Sequence, residues 1–157
     1  MSTTRRDVLK TGGGLTLMSL LAAAGWLDPH EAQAADWNKA AFETRTVDET
    51  VKALGGSAPA QSKEILFVAT PDIAENGAVV PIGVTSTIPK TESIAILIEK
   101  NPSTLVATFE IPPGTDPAIS TRVKMGQSSN VYAVVKADGK YYVASKEIKV
   151  TLGGCGG

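Results

Sequence analysis

Val131-Tyr132-Ala133-Val134-Val135-Lys136-Ala137-Asp138-Gly139-Lys140-Tyr141-Tyr142-Val143-Ala144 reads as two extended runs folded back on each other. Asp-Gly between β-branched and aromatic residues is a strong hairpin signal, because the two-residue turns it favours match the twist of the flanking strands. Val131, Ala133 and Val135 share one face of the first run, as the two-residue period of a strand requires. The same period recurs outward from this hairpin. Ile94, Ile96 and Ile98 point one way and Ala95 and Leu97 the other. Leu105, Ala107, Phe109 and Ile111 alternate with Thr104, Thr108 and Glu110 until Pro112-Pro113-Gly114 stops the strand. Ile119, Val123 and Met125 alternate with Ser120, Arg122 and Lys124, and Ile148, Val150 and Leu152 with Lys149 and Thr151. Upstream, Val80, Ile82 and Val84 face away from Pro81, which cannot donate to a ladder and so predicts an edge strand or a bulge. Ile65-Leu66-Phe67-Val68 is a continuous apolar run, the pattern of a strand covered on both faces.

About seven short strands with turns at these intervals predict an all-β chain, an immunoglobulin-like antiparallel β-sandwich. A short N-terminal helix precedes it. Thr46 and Glu49 have capping-box spacing, Val47, Val51 and Leu54 repeat at helical spacing, and Gly55-Gly56 can end a helix over 47–54. Gly55-Gly56-Ser57-Ala58-Pro59 then links it to the strands. Several strands are apolar on a second face: Leu97 opposite Ile96, Val106 opposite Phe109, and Tyr132 and Val134 opposite Val131 and Ala133. A sandwich needs only its inner faces apolar, so that second face calls for cover, from another chain or from this chain's own loops and N-terminal segment.

The first 34 residues read as an address. Arg5-Arg6 opens a twin-arginine pattern, a weakly apolar stretch rich in Gly, Ala and Leu runs from Gly12 to Leu27, and Ala32-Gln33-Ala34 is a small-x-small cleavage site. The expectation is a signal peptide over 1–34, removed after export by the twin-arginine pathway to the periplasm, and no membrane span in the mature protein. Cleavage removes Arg5, Arg6 and Lys10 with Asp7, Asp28 and Glu31, so the net charge stays at −1. A near-neutral chain is no nucleic-acid binder by charge.

Cleavage also removes His30, the one histidine in the sequence, and leaves Cys155 as the one cysteine. Such a chain holds no Cys–His nucleophilic couple, no His/Cys zinc cluster and no internal disulfide. Cys155 lies between Gly153-Gly154 and Gly156-Gly157. Glycine samples nearly all of backbone space and adds no bulk, so residues 153–157 read as a mobile arm with a reach of about 17 Å. A thiol with an ordinary pKa near 8.5 is only slightly ionised at neutral pH, and nothing in the local sequence activates it. The chain therefore reads as a carrier rather than an enzyme, its chemistry performed inside other proteins that the arm enters.

An exported β-sandwich with Gly153-Gly154-Cys155-Gly156-Gly157, a short N-terminal helix, the loop Ala74-Glu75-Asn76-Gly77 and then Val79-Val80-Pro81 resembles the SoxY family. These are the sulfur-substrate carriers of the bacterial thiosulfate-oxidising (Sox) system, and the resemblance spans the mature chain, 35–152 as the domain and 153–157 as the arm. It implies that Cys155 carries the substrate covalently. On the same resemblance, a c-type haem enzyme would join thiosulfate oxidatively to the sulfur, a hydrolase would release sulfate and leave a persulfide, and a sulfane dehydrogenase would oxidise what remains. It implies a stable heterodimer with SoxZ, and no metal or haem of the carrier's own.

Two other readings compete. Ubiquitin-like sulfur carriers also end in Gly-Gly, but they load a terminal thiocarboxylate using ATP, which an exported chain leaves behind. A purely structural sandwich tethered to a partner by a disulfide through Cys155 is the alternative from a different class. Prenylation fits poorly, since two residues follow the cysteine instead of three.

Overall fold

In the computed structural model the described residues are 38–151. The signal peptide expected over 1–34, Leu152 and the arm expected over Gly153 to Gly157 lie outside them. Asp138 (φ 49°) and Gly139 (φ 73°) both adopt the left-handed conformation that a type I′ turn demands. That turn joins β8 (Ser129–Ala137) to β9 (Lys140–Val150) in antiparallel register, from Ala137 opposite Lys140 to Ser129 opposite Ile148. The stretches around Tyr141–Ala144 and Ile148 are thus one continuous strand.

The other strands are β1 (Ala60–Gln61), β2 (Ile65–Val68), β3 (Ile73–Ala74), β4 (Val80–Ser86), β5 (Thr91–Ile98), β6 (Leu105–Glu110) and β7 (Ala118–Val123). One sheet has the order β1-β9-β8-β5-β6, with β3 also on β9, and the second has the order β2-β4-β7. Two sheets sharing one core make the expected sandwich. Seven strands are those legible as alternating or continuous apolar runs; β1 and β3 have two residues each, too few to show a period. Both pair with β9 in parallel, so the sandwich is not wholly antiparallel as expected. The core between the sheets holds Ile82, Val84, Ile94, Ile96, Ile98, Val131, Ala133, Val135 and Ile148, as the alternation predicted.

Two strands differ from expectation. β2 is an edge strand of the small sheet, paired only with β4 there, and its outer residues Leu66 and Val68 are exposed rather than covered. Length and apolarity alone do not separate a doubly covered strand from an edge. Pro81 sits on β4, the middle strand by order, yet β2 pairs only Gly83 to Ser86, so Pro81 has a neighbour on the β7 side alone. Locally it is at an edge, and its missing N–H removes no bond from a second ladder.

The second apolar face finds its cover within the chain. α1 (Lys39–Phe42) and α2 (Val47–Ala53) lie on the outer face of the large sheet, where Ala41 and Val51 pack with Ala95, Leu97, Leu105, Val134 and Val143. Thr46 caps α2 through its side chain, which accepts from the Glu49 amide at 3.2 Å. At the other end Gly55 (φ 89°) donates to Lys52 and Gly56 to Val51, the paired bonds of a Schellman motif. The Tyr141 hydroxyl donates to the Leu54 carbonyl and that of Ser103 to the Phe42 carbonyl at 2.6 Å, fastening the helices to the sheet. Each fully buried Leu or Val side chain here stabilises the fold by about 1.5–3 kcal/mol. The apolar second face is therefore no argument for a partner chain.

Val106 departs from its expected face. The register of β6 shifts there: Ala107 opposes Ile96, but Leu105 opposes Leu97. One extra residue in a strand inverts every side chain beyond it. Leu105 consequently joins the helix-side cluster, while Val106 and Phe109 both pack against the inter-sheet core.

Candidate functional site

β9 outruns its antiparallel neighbour. β8 starts at Ser129, opposite Ile148, so Lys149, Val150 and Thr151 extend beyond that ladder towards Cys155. Other groups hold them. The Lys149 amide donates to the Asp72 carbonyl at 2.9 Å, and the Thr151 amide to the Ala74 carbonyl at 3.0 Å. The Val150 amide, on the opposite edge, donates to the Ser128 hydroxyl oxygen at 2.9 Å. A two-residue strand and one serine therefore complete the ladder up to the last described residue.

The loop after β3 seals this end. The side-chain oxygen of Asn76 accepts from the Ala78 amide at 2.9 Å and its carbonyl from the Val79 amide at 3.3 Å, closing a tight turn. The Gly77 carbonyl accepts from the Met125 amide at 2.7 Å. A Cβ at Gly77 would lie 2.5 Å from the Met125 carbonyl oxygen and 2.8 Å from Cγ1 of Val150, closer than real Cβ atoms approach. Glycine is required here for proximity. The Ala74-Glu75-Asn76-Gly77 stretch, so far only part of a resemblance, is the seat of the strand that leads to the cysteine.

Cys155 and its neighbours Gly153, Gly154, Gly156 and Gly157 lie outside the described residues, so no distance to the sulfur enters this geometry. What the structure places is the root, four residues before the thiol. The alternation of Ile148, Val150 and Leu152 placed that root on a strand, but it gave no sign of Ser128 or of the bond from the Thr151 amide to the Ala74 carbonyl. Neither has a local signature: Ser128 is one of several polar residues in a turn, and β3 is too short for a pattern. Among the described residues no group of three or more His, Cys, Asp or Glu is placed to hold a metal ion. A cleft of about 690 Å³ does open beside α2, lined by Arg45, Asp48, Glu99 and Tyr132 among others. Burial pushes the Tyr132 phenol above its ordinary value, and the Glu99 carboxylate adds to this. A phenol is neutral near pH 7 even at its ordinary value, so the shift only moves this one further from ionising.

A comparison with protein-family models matches residues 50–155 to SoxY, the sulfur oxidation protein, a span that takes in α2 from Thr50 on, the root and Cys155. The chain belongs to the SoxY family. Among solved structures, the sulfur carrier protein SoxY from Chlorobium limicola f thiosulfatophilum is 40% identical, with a TM-score of 0.62 over 68% of this chain and 97% of that one. A variant of superoxide reductase (neelaredoxin) from Ignicoccus hospitalis is 20% identical, with a TM-score of 0.49 over 60% of this chain and 83% of that one. That likeness is too remote to bear on function. No curated protein matches the chain. Membership in the SoxY family places this chain in sulfur oxidation and agrees with the all-β sandwich of two sheets.

Proposed function

We propose that this SoxY-family chain is a periplasmic sulfur carrier in thiosulfate oxidation, with Cys155 as the covalent attachment point and Gly153, Gly154, Gly156 and Gly157 as its swinging arm. The observation that carries the reading is the pinned root: β9 is bonded on both edges through Val150 and Thr151, and the one cysteine follows four residues later amid glycines. A fixed base with bulk-free residues around the thiol suits insertion into narrow pockets of other proteins. The Arg5-Arg6 leader and its Ala32-Gln33-Ala34 site support export by the twin-arginine pathway.

In this reading the Cys155 thiol loses its proton and joins the outer sulfur of thiosulfate as an electron pair passes to a c-type haem enzyme. Water then takes the sulfonate group as sulfate and leaves a persulfide on the cysteine. A sulfane dehydrogenase takes electrons from the outer sulfur as water supplies its oxygens, and hydrolysis of the S-sulfonate so formed releases sulfate and restores the thiol. The carrier contributes no acid, base or metal to these steps. SoxZ as a stable partner rests on the family resemblance, now that the helices account for the apolar second face.

The decisive experiment compares the native chain with Cys155→Ser in the presence of thiosulfate and the haem enzyme. Intact-mass measurement should find sulfur adducts confined to the peptide containing Cys155 and absent from the variant, with equal unfolding midpoints. Adducts on the variant, or crosslinked protein in place of small adducts, would sink the reading.

A further inference from the structure

Four large apolar side chains among the described residues stand out in solvent: Leu66 (49% exposed), Val68 (43%), Ile73 (57%) and Val79 (51%). The two most exposed bracket the loop that seats the root. Ile73 is the first residue of β3, in register with Lys149, and Val79 closes the Asn76 turn. Between them lie Ala74, which receives the Thr151 amide, and Gly77, which abuts Val150. Isolated exposed aliphatic residues need no explanation. A pair on the two ends of one tight loop, at the point where the chain departs for Cys155, is a different matter.

We propose that Ile73 and Val79 form the surface on which the enzymes that process Cys155 dock, an inference that rests on the carrier function above. The length of the tail identifies the occupant. Thr151 is pinned, and four residues extend about 14 Å at most, so any pocket that takes the Cys155 sulfur must open within that distance of Thr151. The rim of such a pocket comes down around the root, where the loop carrying Ile73 and Val79 lies. A stable subunit seated on these side chains would crowd the exit of the tail, so the contact is made and broken at each step. Its chemistry fits that use. Apolar contact is non-directional and asks little of the facing surface, so one pair can serve several differently shaped mouths. Two side chains make a small contact, of the size found in transient encounters.

The test measures sulfate release by the hydrolase from full-length carrier loaded with the thiosulfate adduct. For Ile73→Thr/Val79→Thr the KM should rise about tenfold with kcat unchanged, the scale of losing an apolar anchor at an interface. Leu66→Thr/Val68→Thr, similarly apolar and nearly as exposed before substitution, should stay within about twofold of the native chain, and Ile73→Val/Val79→Ile should restore native behaviour. Val79→Thr alone, at a residue outside any strand, replaces the double variant should that unfold. A synthetic peptide of the loaded tail should show the raised KM without the body. An unchanged KM in the Val79 variants, or an equal rise in the Leu66/Val68 control, overturns the docking surface and leaves the carrier function standing. Loading of Cys155→Ser would overturn both.

Discussion

The Thr151 amide donates to the Ala74 carbonyl at 3.0 Å, and through that bond a strand of two residues holds the root of the cysteine-bearing tail. Without β3, the end of β9 would have a partner on one edge only, since β8 stops at Ser129. The position from which the tail departs is set by residues far from it in sequence.

Gly77→Ala should destabilise the fold by about 1–3 kcal/mol, the usual consequence of forcing an extra carbon into packed space. The added Cβ meets the Met125 carbonyl and Val150, and neither can withdraw without disturbing the root. Denaturant unfolding measures the loss, and amide exchange at Val150 and Thr151 should quicken beyond the global change. Native exchange at those amides would separate the loop from the root.

Leu97→Ala should cost about 2–5 kcal/mol, as for other buried leucines whose cavity cannot collapse. Leu97 is fully buried in the cluster that α1 and α2 make with the large sheet. Tyr141→Phe removes only the bond to the Leu54 carbonyl and should cost about 1 kcal/mol. Denaturant titration checks both values. The helices should loosen before the sandwich does, visible as amide exchange faster in 47–53 than in β8.

Glu92→Gln should lower the thermal midpoint at neutral pH, with the gap closing in acid. Hydrogen bonding from the Lys136 ammonium, 2.8 Å away, and from the Gly139 amide at 3.2 Å holds the Glu92 carboxyl below its ordinary range. A carboxylate so depressed stabilises the fold above the pKa of the unfolded chain, and that contribution fades as pH falls through the folded value. The variant and native curves should therefore draw together as pH falls below the ordinary glutamate range and merge once it passes the folded value. The same pairing raises the Lys136 pKa, so its contribution fades at the other extreme, as pH climbs above about 10. Both side chains are solvent-accessible, so the effect is small and shrinks with added salt.

Gly154→Val and Gly156→Val should leave the unfolding midpoint unchanged and slow turnover of the loaded carrier by about tenfold or more, since misplacement at a reacting centre is costly. β-branched bulk beside Cys155 narrows the pockets that can admit the thiol and restricts the backbone that presents it. Normal sulfate release from both variants would show that the enzymes do not need a slender tail.

Much of this molecule was open to a reader of its residues, and the exceptions share one cause. The Asp138-Gly139 turn, the alternation of β5 and β8, the caps of α2 and the uniqueness of Cys155 are properties of neighbours in sequence. Steric preference and side-chain period act over a few residues, so these could be read directly. Periodicity reports that a face is apolar but not what covers it, and only the packed chain assigned Leu97 and Val134 to α1 and α2. An extra residue at Val106 reverses Leu105, a change invisible until β5 supplies the register. Whether Pro81 counts as central, whether Leu66 is buried, and which groups hold Thr151 all depend on where partner strands end. The sequence by itself determined the longer strands, α2 and the single sulfur; contacts between distant residues decided β1 and β3, the faces, the edges and the fixed root, because a hydrogen-bond ladder has no meaning until its second strand is present.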